Sequence, residues 1–218
     1  MRASYHSELR GLAERLAVMS EAVGTALDQA TRALLRADLA LAERVIANDA
    51  RIDQLRDGAE ERACRLLALQ APVATDLRTV VTAIHAAGDL ERMGDLALHV
   101  ASAVGRRHPA HVLPDPVRPY FAEMGRVACG LATQTAAVIR APNAADARRL
   151  DADDDALDDL HRHMFTLMMG PHWTYGVTCA VDVTLLARYY ERFGDHAVAV
   201  ARRMVYVITG RMPSALEV

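Results

Sequence analysis

The side chains best placed to do chemistry are carboxylates, and they come in pairs. Glu91-Arg92-Met93-Gly94-Asp95 recurs 100 residues later as Glu191-Arg192-Phe193-Gly194-Asp195. Each copy sets two acids four residues apart, which on a helix places them one above the other on a single face. Counting from Glu91 in threes and fours gives Leu77, Val81, Ile84, Gly88, Asp95 and Leu98, so the acids fall on an otherwise apolar stripe that is expected to be buried. A buried carboxylate needs a cation, a metal or hydrogen-bond donors.

Two further pairs, Asp49/Asp53 and Asp154/Asp158, share the spacing and stand 105 residues apart. Brought face to face with Glu91/Asp95 and Glu191/Asp195, they would repel strongly unless a cation lay between them. Oxygen-rich sites suit Mg, Mn, Ca or Fe, and one imidazole tilts the choice toward Fe, Mn or Zn. His99, four residues beyond Asp95, is a candidate imidazole; the second copy has Ala199 there, with His196 beside Asp195. Fe is the expected metal, with Zn or Mn next. Two other readings stay open. Arg78, Arg92, Arg188 or Arg192 could satisfy the Glu/Asp pairs as ion pairs without metal. The Asp pairs could be solvated, because residues 151–159 are acid-rich and lie near a helix start.

The elements that must carry these acids read as helices. The chain of 218 residues is 52% hydrophobic and only 5% aromatic, a helix-forming composition. Leu9, Leu12, Leu16, Met19, Val23, Ala26, Ala30 and Leu34 mark a first amphipathic helix over about 4–36. Asp38 suits the N-cap of a second, which stops at Ala71-Pro72. Pro72 suits the first turn of a third, running to about Arg106 with the first Glu/Asp pair. Three prolines between 106 and 116 mark a break, and the scheme then restarts. A fourth helix covers 116–140, a fifth begins at Asn143 and stops at Gly170-Pro171, and a sixth runs from about Thr174 to Ile208. The expectation is an all-α fold of two tandem three-helix bundles from an internal duplication, residues 1–107 and 116–211 joined by a linker at 108–115.

Composition also excludes. All 25 basic residues are arginine, which removes Schiff-base and P-loop lysine chemistry. A net charge of −3 gives no reason to expect nucleic-acid binding. Cys64, Cys129 and Cys179 form no C-x-x-C pair and read as reduced thiols packed in a core. With no leader-like segment or membrane-length apolar run, a cytoplasmic location is expected. His108, His111, His161, His163 and His172 lack any metal-motif context and default to surface positions; Met164, Met168 and Met169 read as packing.

Pro72-Val73-Ala74-Thr75-Asp76-Leu77-Arg78, followed by Asp89-Leu90-Glu91-Arg92-Met93-Gly94-Asp95-Leu96-Ala97, resembles the PhoU family of bacterial phosphate uptake. So do Ile46-Ala47-Asn48-Asp49-Ala50-Arg51-Ile52-Asp53 and Tyr190-Glu191-Arg192-Phe193-Gly194-Asp195-His196-Ala197. The resemblance implies two three-helix bundles about an approximate two-fold, with metal clusters on Asp49, Asp53, Glu91, Asp95, Asp154, Asp158, Glu191 and Asp195. It also implies a non-enzymatic negative regulator of phosphate uptake and of the starvation response. Such a protein would contact the ATP-binding subunit of the phosphate ABC transporter and the membrane sensor histidine kinase, reach the membrane only through them, and form a homodimer. The sequence departs from the family pattern in its second half, where Gly176-Val177-Thr178 replaces the Asp-Leu-Arg element and Arg188-Tyr189-Tyr190 precedes the last motif. The first site is therefore expected to be the more secure. The competing reading is a di-iron-type helical-bundle enzyme, whose usual Glu-x-x-His signature is missing from the third and sixth helices.

Overall fold

The computed structural model describes residues 2–211, with side chains from residue 5 onward. Six helices follow one another: α1 (Arg2–Arg36), α2 (Leu39–Gln70), α3 (Ala74–Arg107), α4 (Arg118–Arg140), α5 (Ala144–Met169) and α6 (Gly176–Thr209), with a 3-10 turn at Asp115–Val117 before α4. Their ends follow from local chemistry. Asp38 accepts a hydrogen bond from the Leu41 amide at 2.9 Å, and Asn143 accepts one from the Ala145 amide at 2.8 Å, so both act as N-caps. Gly210 ends α6 in the left-handed region at φ +67°, where glycine costs least. Pro72 lies outside α3 rather than in its first turn, because Ala71 already closes α2 in a left-handed conformation.

α1, α2 and α3 pack on one another, as do α4, α5 and α6; in addition α1 packs on α4 and α3 on α6. The two halves thus share one continuous apolar core, with α1, α3, α4 and α6 central and α2 and α5 outermost. α1 and α4 run antiparallel. Ser20 Oγ donates to the Ala132 carbonyl at 2.8 Å, and Arg140 holds Glu14 at 2.7 Å. Gly125 permits that approach, since a Cβ there would stand 2.6 Å from Thr31. Thr31 in turn shares a buried 2.7 Å hydrogen bond with Tyr190 of α6.

α3 and α6 are also antiparallel. Arg107 pairs with Asp182 at 2.6 Å, the His99 and Tyr189 rings lie 5.3 Å apart, and Asp89 meets His196 at 3.2 Å. These pairings centre the α3/α6 seam on the two motif copies.

The seam corrects one expectation. The core face of α3 is Val80, Ala83, Ala87, Leu90, Ala97, Ala101 and Val104, whereas Leu77 and Val81 are 41% and 39% exposed. α3 packs on α1, α2 and α6 together. Its small-residue side takes the deepest position, and the acid stripe falls at the margin facing α2. A carboxylate there is half-buried rather than fully desolvated. Cys64 is a second correction: it is exposed, while Cys129 and Cys179 are partly buried.

Candidate functional site

The repeated glycine explains how the acid pairs meet. A Cβ at Gly94 would lie 3.0 Å from Ile52 and 3.6 Å from Asp49 Oδ1; at Gly194 it would lie 1.9 Å from Asp154 Oδ1 and 2.8 Å from Leu157. The glycine of each motif therefore admits an aspartate of the outer helix against the central helix. Asp49 with Ile52 and Asp154 with Leu157 are corresponding residues at the 105-residue offset, so the two halves repeat this contact.

In the first half, between α2 and α3, arginine answers the acids. Arg56 Nη1 lies 3.5 Å from Glu91, and Arg92 lies 3.9 Å from Glu91 and 3.0 Å from Asp95. Asp49 is half-buried and Asp53 exposed. The Asp49 carboxyl is held above its usual range, chiefly by burial and then by Asp53, Asp95 and Glu91, with His99 opposing. The four expected carboxylates of this half are thus within electrostatic reach of one another.

The second half, between α5 and α6, is less well satisfied. Arg188 pairs with one oxygen of Glu191, but Glu191 Oε2, Asp154 Oδ1 and His161 Nε2 are buried without a hydrogen-bond partner. Burial first, then Asp195, Asp158, Asp151 and Glu191, pushes the Asp154 carboxyl up to about 7. Glu191 is raised by burial and by Asp195, against Arg188. Asp158 is partly exposed and Asp195 exposed. Among the described residues, no three His, Cys, Asp or Glu side chains already stand in the arrangement of a metal site. The orphaned oxygens nonetheless fit a cation in charge and in donor chemistry, provided the flanking carboxylates rotate inward onto it.

Of the proposed supporting arginines, Arg92 and Arg188 do face the acids. Arg192 opposes the shift of Glu191 only through its charge, as the weakest influence on it. Arg78 is elsewhere. Its guanidinium donates to the Val207 carbonyl at 3.4 Å and to Thr75 at 2.9 Å, because thirteen residues of helix put it about 20 Å along the axis from Glu91. His99 is exposed and stacks on Tyr189.

Sequence reasoning passed over Arg56 and assigned His161 to the surface, whereas the structure half-buries it. They correspond at the offset that relates Asp49 to Asp154, and each follows its aspartate by two helical turns. Extending that offset by one more step would have found them. His161 is half-buried, and its ring is biased toward the neutral form by burial and then by Arg188, against Asp158.

Comparison with known proteins agrees with this layout. The family model described as the PhoU domain matches twice, at residues 16–104 and 121–204, one match per half. A Mycobacterium tuberculosis protein named "Phosphate-specific transport system accessory protein PhoU homolog 2" is 54% identical over 213 residues, covering 98% of this chain and 100% of that protein. The Mycobacterium leprae PhoU homolog 1 is 52% identical and covers 98% of this chain and 96% of its own length. Among solved structures, PhoU from Pseudomonas aeruginosa superposes with a TM-score of 0.81 at 25% identity, covering 95% of this chain and 100% of that one. The regulatory protein PhoU from Streptococcus pneumoniae reaches 0.84 at 24% identity, covering 96% and 99%, and speaks for the fold. With two domain matches, near-complete coverage by close relatives and the same six-helix architecture, the chain belongs to the PhoU family.

Proposed function

We propose that this chain is a non-enzymatic regulator of phosphate uptake and of the phosphate-starvation response. It restrains the phosphate ABC transporter through its ATP-binding subunit and holds the membrane sensor histidine kinase off signalling when phosphate is plentiful. The observation that carries this reading is the 54% identity, over 98% of the chain, to a protein named as an accessory of phosphate-specific transport. Lysine is missing from the sequence, which leaves out Schiff-base chemistry, and burial pushes the Cys129 thiol up to about 12, away from a thiolate nucleophile. No described helix is long and apolar enough to cross a membrane.

The acid pairs are read as metal sites, with iron favoured and zinc or manganese as alternatives. The support is the pair of buried carboxylate oxygens, on Asp154 and Glu191, that no donor satisfies. When bound, the metal would neutralise four converging carboxylates and tie the outer helix to the central one. The protein's own part is to place Asp154 against α6 through Gly194 and Asp49 against α3 through Gly94. A homodimer belongs to the same reading and is checked by light scattering.

The deciding experiment is affinity capture of the tagged chain from cells grown in high phosphate. The transporter's ATP-binding subunit or the kinase should be recovered with it, and recovery of neither overturns the proposal.

A further inference from the structure

We propose that the α3/α6 seam binds a phosphoryl dianion, free or carried on a small metabolite, between Arg92 and Arg192. The seam opens into a cavity of ≈ 380 Å³ to which α3 contributes Arg92, Asp95 and His99, and α6 contributes Tyr189, Arg192 and His196. Arg92 and Arg192 hold the same place in the two motif copies, one residue after the first acid. Both side chains line the α3/α6 seam, and Arg92 also reaches back to Glu91 at 3.9 Å and Asp95 at 3.0 Å. The antiparallel crossing, centred on the motifs, brings both guanidiniums to one cavity.

Arg192 is the cation of this cavity that the neighbouring carboxylates leave uncommitted, while Arg92 is shared between Glu91 and Asp95. Asp95 faces it but is matched by Arg92 at 3.0 Å. Asp89, behind His196, is matched on one oxygen by that ring at 3.2 Å and on the other by Arg203 at 3.0 Å. Arg192 makes no ion pair among the described residues. Two guanidiniums on one concave surface repel each other, and an anion between them converts that repulsion into attraction. The planar fork of arginine matches two oxygens of a tetrahedral phosphoryl group, which gives such a site a preference over spherical anions. The rings of His99 and Tyr189, 5.3 Å apart and inclined by 41°, line one side of the cavity, which is larger than phosphate alone requires.

This site shares Arg92 and Asp95 with the first acid pair but uses neither Asp49 nor Asp154 and needs no partner protein, and Arg192 on the opposite helix keeps its test distinct from the metal and regulatory readings. It is tested on the purified, chelator-treated chain by isothermal titration with inorganic phosphate, AMP and chloride at one ionic strength and neutral pH. Phosphate or AMP is expected to bind once per chain. Arg192→Ala and Arg92→Ala should each weaken binding at least ~10-fold, Arg192→Lys less, and Arg126→Ala on α4 not at all. Tighter binding of AMP than of phosphate identifies a carried phosphoryl group, and the reverse identifies the free anion. Heat from neither ligand overturns the proposal. So does affinity unchanged in Arg192→Ala, or chloride competing as well as phosphate. Arg92 and Arg192 are both exposed, so folding of the variants is expected to survive, and circular dichroism verifies it.

Discussion

The two acid sites come from one duplicated plan and are satisfied in different ways. In the first, Arg56 and Arg92 reach Glu91 and Asp95. In the second, the residue corresponding to Arg56 is His161, and three buried atoms, on Asp154, Glu191 and His161, have no partner. The spacing of the acids is the same in both halves. What differs is the third residue along the outer helix, a fixed cation on one side and a neutral ring on the other. A permanent guanidinium competes with a metal for the same carboxylates, whereas an imidazole can join them as a ligand. Similarity to the family pattern is stronger in the first half, yet unsatisfied donor capacity is concentrated in the second.

The largest expected effect concerns metal content. Asp154→Ala with Glu191→Ala should remove most of the bound metal, while Asp49→Ala with Glu91→Ala should remove less, because arginine already occupies the first site. The difference in affinity between the sites is expected to be at least ~10-fold, or about 1.4 kcal/mol. Elemental analysis of both double variants beside the parent protein decides it. Equal loss from the two variants would break the comparison. Within the second site, His161→Ala should lower zinc affinity more than magnesium affinity, since a nitrogen donor matters most to the borderline metals.

Comparable in size is the effect of the two motif glycines. Gly194→Ala places a methyl 1.9 Å from the present position of Asp154 Oδ1, so the carboxylate and Leu157 must both move. A cost of about 1–3 kcal/mol is expected, together with loss of metal. Gly94→Ala meets the Cδ1 and Cγ2 methyls of Ile52 at 3.0 and 3.1 Å and Asp49 Oδ1 at an ordinary 3.6 Å, and the better helix propensity of alanine, up to ~1 kcal/mol, should bring it close to neutral. Thermal melts of the two variants give the contrast, and a Gly94→Ala variant as damaged as Gly194→Ala would contradict the geometry.

The reach of sequence reasoning divides along the same line. Helix number, both N-caps and the repeat were legible because periodicity, capping residues and proline breaks are local signals. Asp38 and Asn143 could be placed without knowing anything about packing. The depth of the acid stripe was not legible. Leu77 and Val81 read as core by spacing, but burial depends on which side of α3 faces α1 and α6, and alanine-rich faces pack deepest without advertising it. Arg78 rests on charge alone, although its thirteen-residue separation from Glu91 already places it about 20 Å away along the helix. The glycines between the acids appeared only as identities in a repeat. Their use becomes visible when Asp154 is found against α6.

A third effect concerns pH. An aspartate ordinarily titrates near 3.9, whereas burial and the neighbouring acids push the Asp154 carboxyl of the folded chain up to about 7. Between these values the folded state keeps a proton that the unfolded state has released, so the metal-free protein loses stability as pH rises through that window and levels off above it. Asp49, also raised, contributes with the same sign. Asp154→Asn should flatten most of the slope and raise the melting temperature at pH 8 by a few degrees. Metal must displace the proton, so affinity at the second site should climb as pH approaches 7. A melting temperature that increases from pH 5 to pH 8 without metal would sink this assignment.

The smallest expected effect offers the sharpest test of why the sites differ. Arg56 and Glu91 are 37% and 18% exposed in their side chains, so Arg56→Ala should cost less than ~1 kcal/mol of stability. Its consequence lies in the chemistry of Glu91, which loses its cross-helix cation and gains capacity for a metal. Arg56→His goes further by giving the first site the residue that the second already has. Metal bound by the first half should then rise toward that of the second, and this is best measured in the Asp154→Ala/Glu191→Ala background, where the second site is silent. If Arg56→His leaves the first half as poor in metal as before, the third outer-helix residue does not set the difference, and the departures around Arg188-Tyr189-Tyr190 become the place to look.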